Sequence, residues 1–132
     1  MKNQLVSVID KTGPLSKSGV YSLKCDDCSA VYIGQSGRKI STRIKEHVSS
    51  VEKYKHTDIT ETNSAFASHL LSSSHNFSPN IGAEVLHVCP KSKKLDLLER
   101  MEITRAKKSP VLVCVNDVFN FEPHLIFNNL VD

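Results

Sequence analysis

The stretch from Gly19 to Gly34, GVYSLKCDDCSAVYIG, constrains the fold more than any other part of the chain. Val20, Tyr21 and Leu23 lead into Cys25-Asp26-Asp27-Cys28, and Val31, Tyr32 and Ile33 lead out. β-Branched and aromatic residues thus flank a polar turn, the pattern of a hairpin. Gly19 and Gly34 bracket it, where a backbone turns sharply or comes close to another group. Two cysteines separated by two residues sit at the tip, and that is metal-ligand spacing. Cysteines also occur at 89 and 114, but only the tip pair is close in sequence. In a reducing compartment such a pair points to a metal or redox site more than to a structural disulfide.

The rest of the chain can be placed around this hairpin. Ile40, Ile44, Val48 and Val51 recur at helical spacing, with Arg43 and His47 one above the other on the neighbouring face. Residues 52–63 are aperiodic and read as an exposed loop, and Asn63 or Ser64 can cap a short helix through Ala65, Phe66, His69 and Leu70. Val85, Leu86 and Val88 form a third strand that ends at Cys89-Pro90. A second strong helix follows, with Leu95, Glu99, Ile103 and Ala106 on one line. A carboxylate there is displaced toward the core, which is costly unless it meets a cation or metal. Pro110 ends this helix, and VLVCV reads as an extended run before Asn116.

These elements predict one α/β (α+β) domain over residues 18–116. It has a small, mainly antiparallel three-stranded sheet, from the hairpin and residues 82–88, packed by helices at roughly 38–52 and 93–107. Residues 1–17 read as a lead-in or linker and 117–132 as a C-terminal tail. The chain of 132 residues carries a net charge of +3, concentrated in two segments. Residues 36–56 hold six basic and two acidic side chains and residues 91–108 hold seven and three, which fits either solvated helix faces or a polyanionic partner. No apolar run is long enough to cross a bilayer and no secretory leader is evident, so the chain reads as intracellular with no membrane partner.

Gly19-Val20-Tyr21 and Tyr32-Ile33-Gly34, followed by Arg43 on a helix and Glu99 on a later one, resemble the GIY-YIG nuclease family, with Val in place of Ile in the first triplet. More narrowly, the Cys25/Cys28 pair, Ser-His-Leu-Leu-Ser-Ser-Ser-His and Lys-Leu-Asp-Leu-Leu-Glu resemble the endonuclease domain of Penelope-like retroelements. The resemblance implies Tyr21 and Tyr32 as the motif tyrosines, Arg43 as the arginine, His47 as the helix histidine, Glu99 as the metal-binding glutamate and Asn116 as a late asparagine. It implies phosphodiester hydrolysis on DNA with one Mg²⁺ (or Mn²⁺) ion, in a nuclear setting, with a nick that primes a reverse transcriptase of the same element. Oligomeric state is not specified.

A second constellation is Cys25, Cys28, His69 and His75, whose spacings suit a structural zinc site stapling hairpin to helix. Cys89, His56 and His87 are substitute ligands. The competing function is a zinc-stabilised nucleic-acid-binding or protein-interaction module that has lost catalysis. Against it stands the combination of Tyr21, Tyr32, Arg43 and Glu99, which a pure binding module does not need.

Overall fold

The computed structural model describes residues 13–116, so most of the expected lead-in and the whole tail 117–132 lie outside the described residues. After a 3₁₀ turn at Pro14–Ser16, the hairpin forms as β1 (Gly19–Lys24) and β2 (Ala30–Ser36). Helices α1 (Ile40–Tyr54) and α2 (Ala65–Ser73) follow, then a single helical turn α3 (Pro79–Gly82) and β3 (Ala83–Val88). The long helix α4 (Lys93–Lys108) and the two-residue β4 (Val113–Cys114) complete the described chain. Residues 13–18 do not hang free of the domain. Leu15 packs on the core, and the Ile40 N–H donates to the Lys17 carbonyl at 2.9 Å.

The sheet order is β3-β1-β2-β4, with β1 antiparallel to both neighbours and β4 parallel to β2. The expected three strands are therefore four. The fourth is a short edge in which Ala30 pairs Val113 and Val31 pairs Cys114. Its partner lies about eighty residues earlier, a pairing that no local pattern announces.

β1 is central, and alternation along it feeds two apolar layers. Tyr21 and Leu23 join Ile40, Ile44, Phe66, Leu70 and Val115 beneath α1 and α2. Val20 joins Val31, Ile33, Leu95 and Ala106 beneath α4. A fully buried Leu or Phe stabilises by roughly 1.5–3 kcal/mol relative to exposure, so the strand that serves both layers anchors the domain.

On α1 the buried stripe is Ile40, Ile44 and His47, while Val48, expected in it, is only half-buried. His47 lies seven residues from Ile40 and returns to the same face, so the imidazole takes the core position. On α4 the buried carboxylate is Glu102, which meets His87 Nε2 at 2.7 Å and Arg105 Nη1 at 3.3 Å. Glu99, expected toward the core, is half-buried at its edge.

Both bracketing glycines serve close approaches within the chain. A Cβ at Gly19 would run into the His87 carbonyl oxygen, next to the bulge where the β1–β3 register skips Leu86. A Cβ at Gly34 would meet Tyr21 Oη at 2.5 Å and Tyr32 Cε2 at 2.8 Å. The second glycine thus leaves room for the tyrosines that share its sheet face.

Candidate active site

Tyr21 and Tyr32 project from the hairpin toward α1, where they meet His47. Tyr21 Oη lies 2.9 Å from His47 Nε2, and the Tyr32 ring stacks edge-on to the imidazole with centroids 5.1 Å apart. On its far side His47 Nδ1 is 2.6 Å from Ser64 Oγ, and that hydroxyl also accepts the Ala67 N–H as the N-cap of α2. Burial, helped by the Arg43 charge, lowers His47 from its ordinary 6.5 to about 4, so the imidazole is neutral near pH 7. Burial also pushes both tyrosine hydroxyls up, Tyr21 further because Tyr32 adds to it, while Arg43 pulls each back down.

Arg43 sits one turn before His47 and is partly exposed. Its Nη1 donates to Glu46 Oε1 at 2.8 Å, and Arg38 Nη2 reaches the same carboxylate at 3.1 Å. Burial weighs against the Arg43 charge, but Tyr21 and Glu46 outweigh it, and the guanidinium stays charged. From the other side of the sheet, α4 delivers Glu99. Gln35 Nε2 donates to Glu99 Oε1 at 2.8 Å and to Asp96 Oδ1 at 2.9 Å. Among the described residues the second Glu99 oxygen has no hydrogen-bond partner. Glu99 hydrogen-bonds neither tyrosine, yet its charge raises both hydroxyls while that of Arg43 lowers them.

Asn116 does something different. Its Oδ1 accepts the Ile33 N–H at 2.9 Å and its Nδ2 donates to the Ile33 carbonyl at 2.7 Å. The side-chain amide prolongs the β2–β4 ladder by one step and grips the middle residue of Tyr32-Ile33-Gly34.

At the other end of the hairpin, Cys25, Cys28, His69 and His75 bring one ligand atom each to within 4.8 Å of one another. Cys25 Sγ lies 3.3 Å from His75 Nδ1, and Cys28 Sγ 3.4 Å from His69 Nε2. Ser74, in the left-handed conformation at φ 56°, ends α2 and swings His75 back beside His69. The N–H groups of Asp27 and Ala30 point at the two sulfurs, each at 3.4 Å. Two sulfur and two imidazole donors at this spacing fit a tetrahedral zinc ion and leave no open position. Asp26 and Asp27 reinforce the junction by accepting from Ser78 and Asn76, with the Asn76 N–H 2.7 Å from Asp27 Oδ2. The substitute ligands are engaged elsewhere or lie outside the cluster: His87 pairs with Glu102, and Cys89 faces Pro90 and Ser92.

The family model for the GIY-YIG catalytic domain matches residues 17–110. The chain belongs to the GIY-YIG family. Searches of the curated proteins and of the solved structures return no match. Membership makes this a nuclease domain with DNA as its substrate class.

Within this GIY-YIG domain, three polar residues at the site lie outside the motif reading: Gln35 against Glu99, Glu46 against Arg43, and Ser64 against His47. Gln35 directly follows the second triplet and Ser64 carries a helix-cap signature, so each had a local signal, but for position and not for partner. The oxygen donors of Glu99, with Asp96 one turn away, suit a hard divalent cation that keeps waters and takes phosphate oxygens. Tyr21 and Cys25 are four residues apart on an extended strand, so the two ends of the hairpin are separated by roughly 13 Å.

Proposed function

We propose that this GIY-YIG domain, over residues 18–116, is a divalent-metal-dependent endonuclease that nicks DNA one strand at a time. The observation that carries the reading is the Tyr21–His47 hydrogen bond with Tyr32 packed on the same imidazole, on whose two tyrosine hydroxyls the charges of Arg43 and Glu99 act in opposite directions. Glu99 would hold the Mg²⁺ (or Mn²⁺) ion, with Gln35 fixing one carboxylate oxygen and leaving the other for the metal. Such an ion supplies Lewis-acid polarisation of the scissile phosphate. Arg43 binds a non-bridging phosphate oxygen and offsets charge that builds up in the transition state. For that it must turn from Glu46, a partly exposed pair worth ~0–1 kcal/mol.

Tyr21 is the general base toward the attacking water, and Tyr32 orients that water. In the free protein burial keeps the Tyr21 hydroxyl protonated, with Glu99 adding to the effect. Offsetting the Glu99 charge, together with Arg43, shifts Tyr21 toward the phenolate. His47 bonds Tyr21 directly, and Asn116 holds the strand that carries Tyr32 in register.

The tip cysteines with His69 and His75 are assigned a structural zinc. This site and Lys-Leu-Asp-Leu-Leu-Glu at 94–99 support placement among the endonuclease domains of Penelope-like retroelements. In that setting the nick's 3′ end primes a reverse transcriptase of the same element, in the nucleus. Among the described residues no helix is long and apolar enough to cross a membrane.

The test is supercoiled-plasmid nicking with Mg²⁺ by wild type, Glu99→Ala and Tyr21→Phe. Wild type is expected to nick, and each variant to lose about 10²–10³-fold. Equal nicking by all three would remove these residues from the active site. DNA binding without nicking by any of them would favour the inactive binding module.

A further inference from the structure

Ser64 lies seventeen residues from His47 in sequence, in a segment to which the family motifs assign nothing. It is buried, and the chain around it is tightly held. Its N–H donates to Thr62 Oγ1 at 3.0 Å, its carbonyl accepts from Thr62 Oγ1 at 3.0 Å and from the Ser68 N–H at 2.9 Å, and its Oγ accepts the Ala67 N–H at 3.0 Å. Oγ thus sits at a fixed point 2.6 Å from His47 Nδ1. A hydroxyl has one proton to give. Among the described residues His47 Nδ1 is the only acceptor in reach of that proton, because the other contact of Oγ is itself a donor.

Resting on the nuclease reading, we infer that Ser64 is a positioning residue that sets His47 as a one-way donor to Tyr21: Ser64 Oγ–H donates to Nδ1, and His47 Nε2–H donates to Tyr21 Oη. The opposite arrangement, with Nδ1–H donating to Ser64, would leave the buried Ser64 proton without an acceptor. A neutral imidazole carries only one N–H, and burial beside Tyr21 and Tyr32, together with the Arg43 charge, keeps His47 neutral. With Nε2 protonated, His47 cannot take a proton from Tyr21. Instead it directs the Tyr21 hydroxyl hydrogen away from the imidazole and stabilises the phenolate oxygen once that hydrogen has passed to a water molecule that enters the site with the DNA. Tyr21 then receives the proton of the attacking water, and no proton passes through His47.

The experiment uses the full chain. Long-range ¹⁵N–¹H NMR reads which His47 nitrogen is protonated, and plasmid nicking is followed in parallel. Ser64→Thr keeps both the cap and the hydroxyl, and should retain the Nε2–H form and nick within about threefold of wild type. Ser64→Asp also caps α2, but its carboxylate only accepts, so it demands an Nδ1–H tautomer. It should reverse the NMR signature and lose about 100-fold in kcat. Ser64→Ala should lose the Nε2–H preference and nicking together, with circular dichroism checking that α2 remains folded. A wild type with Nδ1 protonated overturns the inference, and so does a Ser64→Asp enzyme that nicks like wild type. Failure of the nuclease reading looks different, because the wild type itself would then not nick with any divalent metal.

Discussion

Replacing Gly34 by alanine tests how the hairpin and the candidate site depend on each other. The added methyl carbon would lie 2.5 Å from Tyr21 Oη, 2.6 Å from Tyr21 Cζ and 2.8 Å from Tyr32 Cε2, against the 3.4 Å of ordinary contact. Neither obstacle can give cheaply. Tyr21 is wholly buried and bonded to His47, and the Tyr32 ring packs on both His47 and Phe66. Clearing the methyl moves the Tyr21 hydroxyl by about 0.9 Å, the difference between 3.4 and 2.5 Å. Moved along the bond, that stretches the 2.9 Å contact to His47 beyond hydrogen-bonding distance. The expected cost is that of overpacking, about 1–3 kcal/mol, plus about 1 kcal/mol for the lost bond. A misplacement of about 1 Å at a reacting group also costs on the order of 10²-fold in rate. Urea denaturation reads the first effect, and plasmid nicking under native conditions reads the second. A Gly34→Ala protein within about 0.5 kcal/mol of wild type that nicks normally would refute the packing argument and the placement of Tyr21 with it.

Two further outcomes follow from the same geometry. His47 has a lowered pKa in the fold, about 4 against 6.5, so the unfolded chain binds the extra proton first as pH falls. Its contribution to stability is therefore complete above pH 6.5 and lost on the way down to pH 4. Urea midpoints should show a loss of about 2 kcal/mol between pH 7 and pH 5, and His47→Gln should remove most of that slope; an equal slope in both proteins would refute the burial assignment. At the hairpin tip, purified protein should carry one zinc per chain. Chelation or Cys25→Ser should release it and lower the melting temperature by several degrees or more, read by metal analysis and thermal scanning. Undiminished zinc after Cys25→Ser would remove that residue from the ligand set.

The hairpin, the two long helices and the third strand were legible in the sequence because each carries a local signal. Alternation around a polar tip marks the strands, helical spacing marks Ile40 to Val51 and Leu95 to Ala106, and prolines mark the ends. The cluster of Cys25, Cys28, His69 and His75 was legible for a similar reason, since the spacing within each cysteine and histidine pair is a local statement about which atoms could reach one ion. Helical periodicity was less reliable for deciding which polar side chain enters the core. It placed Val48 inward and Glu99 toward the core, whereas the fold buries His47 and Glu102. Periodicity gives an angle around a helix axis but not the position of the opposing surface, and a polar group is buried only where a partner waits: Tyr21 and Ser64 for His47, His87 and Arg105 for Glu102.

By itself, then, the sequence determined the elements, the residue types able to do the chemistry and the pairing of thiols with imidazoles. Tertiary structure alone decided the partners. It set Gln35 on Glu99, Glu46 on Arg43, Ser64 behind His47 and Asn116 along Ile33, and it added β4 to the sheet. These contacts join residues from separate elements, or side chains whose rotamers depend on what surrounds them. Their energies are those of hydrogen bonds made in a particular packed geometry, which no periodicity along the chain encodes.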